Sequence, residues 1–318
     1  MKAESNLILG KPNLNVFSET LINMAHDNAD VLVVTSDSRG SGKLVPFAEQ
    51  FPDRLVEVGI AEQNLVGIAA GLASCDKIVY AVSPASFLTA RALEQIKNDV
   101  CYADQPVKLI GISAGVSYGA LGSTHHATHD LAVLRAINNI TITIPADNFE
   151  AEQAIKAAAA LDHPIYIRFG KRPMYHLHPL ETQFEFAKAL TIKQGDDIAI
   201  VATGETVYQA WCAAEILNQQ GYATRLISMH TIKPLDKETL LKAAHECQAL
   251  MTVEEHSIFG GLGEACAHIM IEAGVHIPFQ AIGFPDEYMM TGSQLEIFDH
   301  YGIGGEGLAQ KAVALLNS

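Results

Sequence analysis

Four side chains stand where the pattern around them invites chemistry. Glu62 lies in Val58-Gly59-Ile60-Ala61-Glu62-Gln63-Asn64, where a strand would end and a helix begin. The helix that follows is rich in small residues (Gly67, Ala69, Ala70, Gly71, Ala73), which lets another helix pack closely against it. A carboxylate at a helix start also has a plain role, capping free amides and answering the helix dipole. His125 lies in Gly122-Ser123-Thr124-His125-His126-Ala127-Thr128-His129-Asp130, after a predicted strand and a glycine-rich loop. Parallel sheets place ligands at that position. His125 and His129 have the i, i+4 spacing that would suit a metal on a helix, but no cysteine or carboxylate pattern accompanies them. Substrate binding or proton transfer by His125 is the better reading, and Asp130 could cap the next helix. Arg168, ending a predicted strand, is either an anion site or a solvated charge. Phe87, in Ser86-Phe87-Leu88, reads locally as core. Gly260-Gly261-Leu262-Gly263-Glu264 has neither the G-x-G-x-x-G spacing nor a Walker lysine, so it reads as a turn.

The elements that must position these residues alternate. Short Val- and Ile-rich runs are separated by longer periodic segments, which predicts an α/β fold with a mainly parallel sheet. Strands are expected near 31–35, 78–82, 107–112, 140–144 and 164–168. Helices are expected near 16–28, 62–74, 86–100, 130–137 and 147–161, the last started by Asp147. Residues 170–194 hold two prolines, two histidines and no clear period. A second rhythm follows: strands at 197–203, 223–228, 249–254 and 277–282, with helices at 205–220, 236–246, 262–273 and 305–317. Asp236 is positioned as a cap. We therefore expect domains at 1–170 and 195–318 joined by a linker at 171–194.

Composition narrows the class. With 21 Lys+Arg against 36 Asp+Glu, the chain carries a formal charge of −15 and has no basic run. That is a poor match for nucleic acid or an anionic membrane surface. At 49% apolar and 18% charged residues, the sequence is that of a folded protein. The longest uncharged stretch, 109–124, is broken by glycines and serines and is no membrane span. The start lacks the pattern of a secretory signal. Five scattered cysteines with no CxxC fit reduced thiols in a cytoplasm.

In order and spacing, several segments together resemble the C-terminal half of transketolase in its split, two-subunit form. They are VGIAEQN with its small-residue helix, SFLTARALEQI, the GSTH loop, IPADN, IAIVATGETV, ISMHTIKPLD and EEHSIFGGLGE. The resemblance runs from about Val16 to Leu316. It implies two doubly wound domains, a pyrimidine-binding domain and a transketolase C-terminal domain, and thiamine diphosphate as cofactor. Glu62 matches the glutamate that hydrogen-bonds the aminopyrimidine ring and shares a proton with it. The favoured tautomer then removes a proton from the second ring, and the carbon so freed attacks a ketose carbonyl. Phe87 matches the aromatic packed on the pyrimidine, and His125 the histidine that contacts the substrate. Asp37 falls on a cofactor-side aspartate, Ser41 on a substrate-phosphate serine and Arg168 on a phosphate-binding arginine.

One family element is missing. The G-D-G motif that, with a distant Asn, holds Mg²⁺ and the diphosphate does not occur; Gly195-Asp196-Asp197 comes nearest. The resemblance therefore implies a separate N-terminal subunit holding the diphosphate and magnesium, a dimer core formed by this chain, and a heterotetramer with the site between chains. No metal site is assigned to this chain itself. Three positions depart from the family. Leu121 replaces an aspartate that reads a donor hydroxyl, Ser113 replaces a phosphate-site histidine, and Leu14 stands where an arginine is usual. The expected reaction is two-carbon ketol transfer from a ketose to an aldose phosphate. The altered pocket points to an unusual donor such as apulose 4-phosphate or a sulfo-sugar. Alternatives are the beta subunit of a 2-oxoacid dehydrogenase E1, a 1-deoxyxylulose-phosphate synthase-like enzyme, and a non-catalytic scaffold subunit. Retention of Glu62, Phe87 and His125 together argues against the last.

Overall fold

Runs of four to seven apolar residues are too short for helices and become strands. A computed structural model describes residues 7–179 and 181–318; the first six residues, on which part of the signal reading rests, lie outside it. A seven-stranded sheet has the spatial order Thr231–Lys233, Thr141–Thr143, Ile165–Arg168, Lys108–Ile112, Ile78–Pro84, Val31–Thr35, Leu55–Glu57. The last six are parallel to one another; Thr231–Lys233 joins antiparallel and comes from the second half of the chain. The other large sheet has the order Phe279–Phe284, Ala249–Ser257, Ile198–Ala202, Thr224–Ser228, Leu190–Lys193, with only the last strand antiparallel. Central strands such as Lys108–Ile112 and Ile198–Ala202 are buried along their whole length. Helices cover both faces, which is why these strands read as unbroken apolar runs rather than alternating ones.

On one face of the larger sheet, Phe17, Leu21 and Ala25 of the Asn13–Asp27 helix pack on Val31, Val33 and Tyr80. On the other, Leu65, Val66, Ala69 and Ala73 of the Glu62–Ala73 helix pack with Leu88, Ile96 and Leu109. That second cluster continues through Ile142 and Ile144 into Met229, Leu240 and Leu250, so the two halves share a core. Asp147 and Asp236 cap their helices as expected, accepting from the amides of Glu150 and Thr239 at 3.0 Å each.

Two strands form, one on either side of residue 180, where the sequence shows no period. Pro173–Tyr175 pairs antiparallel with Leu9–Pro12, and Leu190–Lys193 edges the second sheet. The single helix expected over 86–100 is broken: Ala85–Arg91 ends at Ala92, and Leu93–Gln95 leads into a π-helical turn, Ile96–Tyr102. Such turns inside helices recur at functional sites. No helix among the described residues is long and apolar enough to cross a membrane. All five cysteines are unpaired.

Candidate functional site

Four neighbouring parallel strands end at one edge of the larger sheet. Val31–Thr35 leads to Asp37 and Ser41, Leu55–Glu57 to Glu62, Ile78–Pro84 to Phe87, and Lys108–Ile112 to the glycine loop before His125. The carboxyl ends of parallel strands, where helix N-termini and loops converge, form the ligand crevice of open α/β sheets.

Glu62 opens its helix yet is only 3% exposed. It does not cap that helix. Its Oε1 accepts a hydrogen bond from the Arg91 guanidinium at 2.9 Å, and its Oε2 meets no donor among the described residues. Arg91 also lies over the Phe87 ring, 4.3 Å from its centre. Phe87 is half-buried rather than core, and it meets the His125 ring edge-on at 5.2 Å. His125 in turn meets Tyr118 at 5.3 Å, and the Lys171 ammonium stands 4.6 Å from the centre of the Tyr118 ring. Glu62, Arg91, Phe87, His125, Tyr118 and Lys171 thus form one row of contacts that brings three sequence-predicted residues together. Arg91, Tyr118 and Lys171 escaped sequence reasoning. Arg91 could have been found four residues after Phe87, one helical turn along.

His125 Nδ1 pairs with the Thr124 hydroxyl at 2.9 Å, which leaves Nε2 open. The next helix begins only at Asp130, so His125 and His129 share no helical face and the metal spacing does not arise. Asp37 is exposed in a left-handed conformation, φ +50°. Its N–H donates to Glu57 Oε1 at 2.6 Å, and the Gly59 N–H donates to the same oxygen at 3.0 Å. Glu57, another residue sequence reasoning passed over, therefore ties the Asp37 loop to the loop entering Glu62. Ser41 is half-buried in a tight turn and donates to the Ser38 carbonyl at 3.2 Å.

Arg168 lies deeper than a solvated charge and is anchored in the interior. Its guanidinium is 5% exposed and turned inward. It donates to Asp130 at 2.8 and 3.3 Å and to the carbonyls of Ala127 and Glu255 at 2.9 Å each. These internal partners take up Nε and Nη2, while Nη1 has no partner among the described residues. Asp130 accepts from Arg168 and from the Tyr166 hydroxyl at 2.7 Å, and so is a buried ion-pair partner rather than a cap. Beside this pair lies a second buried group of charges. The Gln294 amide donates to Glu205 and to Glu255 at 2.8 Å each, and Glu255 also accepts from the Val116 N–H at 2.8 Å. Burial, and then the Glu205 charge, push the Glu255 carboxyl up to about 8.

The three departures take definite places. Leu14 is core, packed with Phe17 and Leu21. Ser113 is fully buried at φ +53°, with its hydroxyl unpartnered. Leu121 is 56% exposed on the Gly119–Leu121 turn, between Tyr118 and the His125 loop.

Residues 12–175 match the transketolase pyrimidine binding domain, and residues 187–308 match the transketolase C-terminal domain. The chain belongs to the transketolase family. An apulose-4-phosphate transketolase subunit from Phocaeicola vulgatus is 43% identical over 298 residues, covering 93% of this chain and 95% of that one. A solved split gene transketolase, described as an inactive beta4 tetramer, superposes with a TM-score of 0.87 at 33% identity, covering 97% of this chain and 99% of that one. The 1-deoxy-D-xylulose-5-phosphate synthase of Heliobacterium modesticaldum is 34% identical over 98% of this chain, which spans only 48% of that protein. The likeness to a transketolase subunit thus runs nearly end to end, whereas the synthase is about twice as long. This chain is a transketolase subunit, and its family is thiamine diphosphate-dependent.

Proposed function

We propose that this chain is the C-terminal subunit of a split transketolase and holds the pyrimidine side of thiamine diphosphate. The observation that carries this is Glu62: a buried carboxylate with one unsatisfied oxygen, beside an aromatic face and a histidine with an open nitrogen. That donor set fits an aminopyrimidine, which needs a strong acceptor at one ring nitrogen and an apolar wall. When bound, the cofactor supplies the carbon nucleophile for a ketose carbonyl. Glu62 Oε2 accepts the hydrogen bond from the ring and holds its proton, while Arg91 fixes the carboxylate through Oε1. Phe87 packs against the ring, and Asp37 borders it. His125 Nε2 contacts the substrate near its reacting carbons, and Ser41 lies on the substrate side.

On this reading a separate N-terminal subunit holds the diphosphate and magnesium, and this chain self-associates as the dimer core of a cytoplasmic heterotetramer; the lack of a G-D-G motif in the sequence supports that division. Domain limits of 1–170 and 195–318, with 171–194 between them, accompany this reading. The donor is a ketose and the acceptor an aldose phosphate. Leu121 cannot accept a hydrogen bond from a donor hydroxyl, which suits a branched donor such as apulose 4-phosphate. The name of the Phocaeicola relative supports that choice. The test is reconstitution with a G-D-G-bearing partner and an assay of two-carbon transfer. Transfer that collapses in Glu62→Gln with assembly intact supports the proposal. Oxidative decarboxylation of a 2-oxoacid without ketol transfer contradicts it.

A further inference from the structure

The loop that carries His125 is held at both ends by one strand of the transketolase C-terminal domain, Ala249–Ser257. The loop enters at Gly115-Val116 and leaves at Ala127-Thr128, and its ends meet, the Ala127 N–H donating to the Gly115 carbonyl at 2.8 Å. At the entry, Glu255 Oε1 accepts from the Val116 N–H at 2.8 Å. Gly115 lies so close to the Glu255 side chain that a Cβ there would collide with it. At the exit, the Ser257 N–H donates to the Thr128 carbonyl at 2.9 Å. Arg168 Nη2 spans loop and strand, donating to the carbonyls of Ala127 and Glu255. Between these anchors the loop's own bonds are short-range. The His125 and His126 N–H groups both donate to the Gly122 carbonyl, at 2.9 and 3.1 Å, and the His126 ring meets the Gly119 carbonyl at 2.9 Å. The place of His125 therefore follows from the place of the loop ends.

Glu255 is itself braced from behind. The Gln294 amide that meets its Oε1 also meets Glu205 Oε2. Glu205 stands at the start of the Thr206–Gln219 helix and Gln294 at the start of the Gln294–Tyr301 helix, so two further elements fix one carboxyl group. All three side chains are buried. The raised Glu255 carboxyl is a neutral acid near pH 7, an acceptor that carries no charge. On the cofactor side, the Glu62 and Arg91 side chains bond to each other and to no member of this group.

We propose that Glu255 is a positioning residue for ketol transfer: through its bond to the Val116 N–H, the C-terminal domain sets the loop that aims His125 at the substrate. The proposal rests on the transketolase reading above, which gives His125 its substrate. Glu255 acts through the loop and not on the reacting atoms. A shift of about 1 Å in a group that orients substrate is enough to cost a large factor in rate, which is why a distant brace can matter.

The test uses the reconstituted pair. Glu255→Met keeps the length of the side chain and removes the acceptor. It should lower kcat/KM for ketol transfer by about tenfold or more, the scale of one buried hydrogen bond lost, and leave the affinity for thiamine diphosphate unchanged by calorimetry. Glu255→Gln keeps a neutral acceptor for the Val116 N–H and should recover most of the activity. The deciding readout is a double-mutant cycle with His125→Ala. If Glu255 works through His125, Glu255→Met has little further effect once His125 is gone; a merely structural role costs the same factor in both backgrounds. Should Glu255→Met fail to assemble, Gln294→Met removes the brace with Glu255 still in place, and the same cycle applies. Hydrogen exchange reads the loop without turnover: the amides of residues 125–127 should exchange faster in Glu255→Met than in wild type or Glu255→Gln. Equal losses in both backgrounds, or loop exchange unchanged in Glu255→Met, overturn the proposal. A pair that transfers no ketol group yet shows the loosened loop contradicts the functional reading and leaves the clamp standing.

Discussion

At the scale of single residues, burial decides which charges can act. Glu62 is shielded from water yet keeps one oxygen free, and Arg91 fixes the other. Replacing it with Gln keeps the shape and removes the anionic acceptor. Glu62→Gln should lower ketol transfer by about 10²-fold or more, the usual size of a lost proton-transfer contribution, while the subunits still assemble. Steady-state rates alongside gel filtration check this, and near-normal turnover contradicts it. Arg168 is a contrasting case, a charge whose Nε and Nη2 are held by the interior. Arg168→Met strands the buried Asp130 carboxylate and should cost about 3–5 kcal/mol of stability. Denaturant melts measure that loss, and a variant of wild-type stability with a raised KM for sugar phosphates would restore the surface role. The sequence alone could not separate these two fates. Glu62, Phe87 and His125 stand in contiguous motifs, whereas Arg168 takes its meaning from Asp130, 38 residues away.

At the scale of elements, strand ends and helix breaks set the geometry. The helix that carries Phe87 and Arg91 stops at Ala92, and the π-helical turn beyond it leaves no periodic signature in the sequence. The strands missed by periodicity are three or four residues long, as in Leu55–Glu57 and Thr231–Lys233, too short for an alternation to register. The Gln294–Tyr301 helix was legible in principle: Ser293 and Glu296 form a capping box, and Gly302 closes it in the left-handed region. Glycines matter where two elements nearly touch. Gly115 has φ +59°, and a Cβ there would collide with the Glu255 side chain. Gly115→Ala should therefore destabilise the fold by more than about 1 kcal/mol, from backbone strain and lost room together. Gly40→Ala, with open space around the added carbon, serves as the control in the same denaturation series. Equal effects at both sites would contradict the close packing between the Gly115 loop and the Ala249–Ser257 strand.

At the scale of the whole molecule, the two halves are tied by a shared core and by buried carboxylates at their junction. Glu255 is raised from 4.5 to about 8, first by burial and then by Glu205. Between these values the folded chain keeps a proton that the unfolded chain has released. This contribution is full below about pH 4.5 and is lost as pH rises through about 8. Glu255→Gln carries no such proton, so its stability relative to wild type should improve steadily between about pH 5 and about pH 8.5, read from melts across that range. A difference that stays constant with pH contradicts the assignment. The same whole-molecule view governs the cofactor. On the proposed reading Glu62 and Phe87 hold one ring, but the sequence has no G-D-G motif for the diphosphate. Isothermal calorimetry of thiamine diphosphate with magnesium, against this chain alone and then against the chain with its N-terminal partner, tests that division most directly. Weak or undetectable heat from the isolated chain and saturable binding by the pair are expected. Micromolar binding by the chain on its own would contradict it.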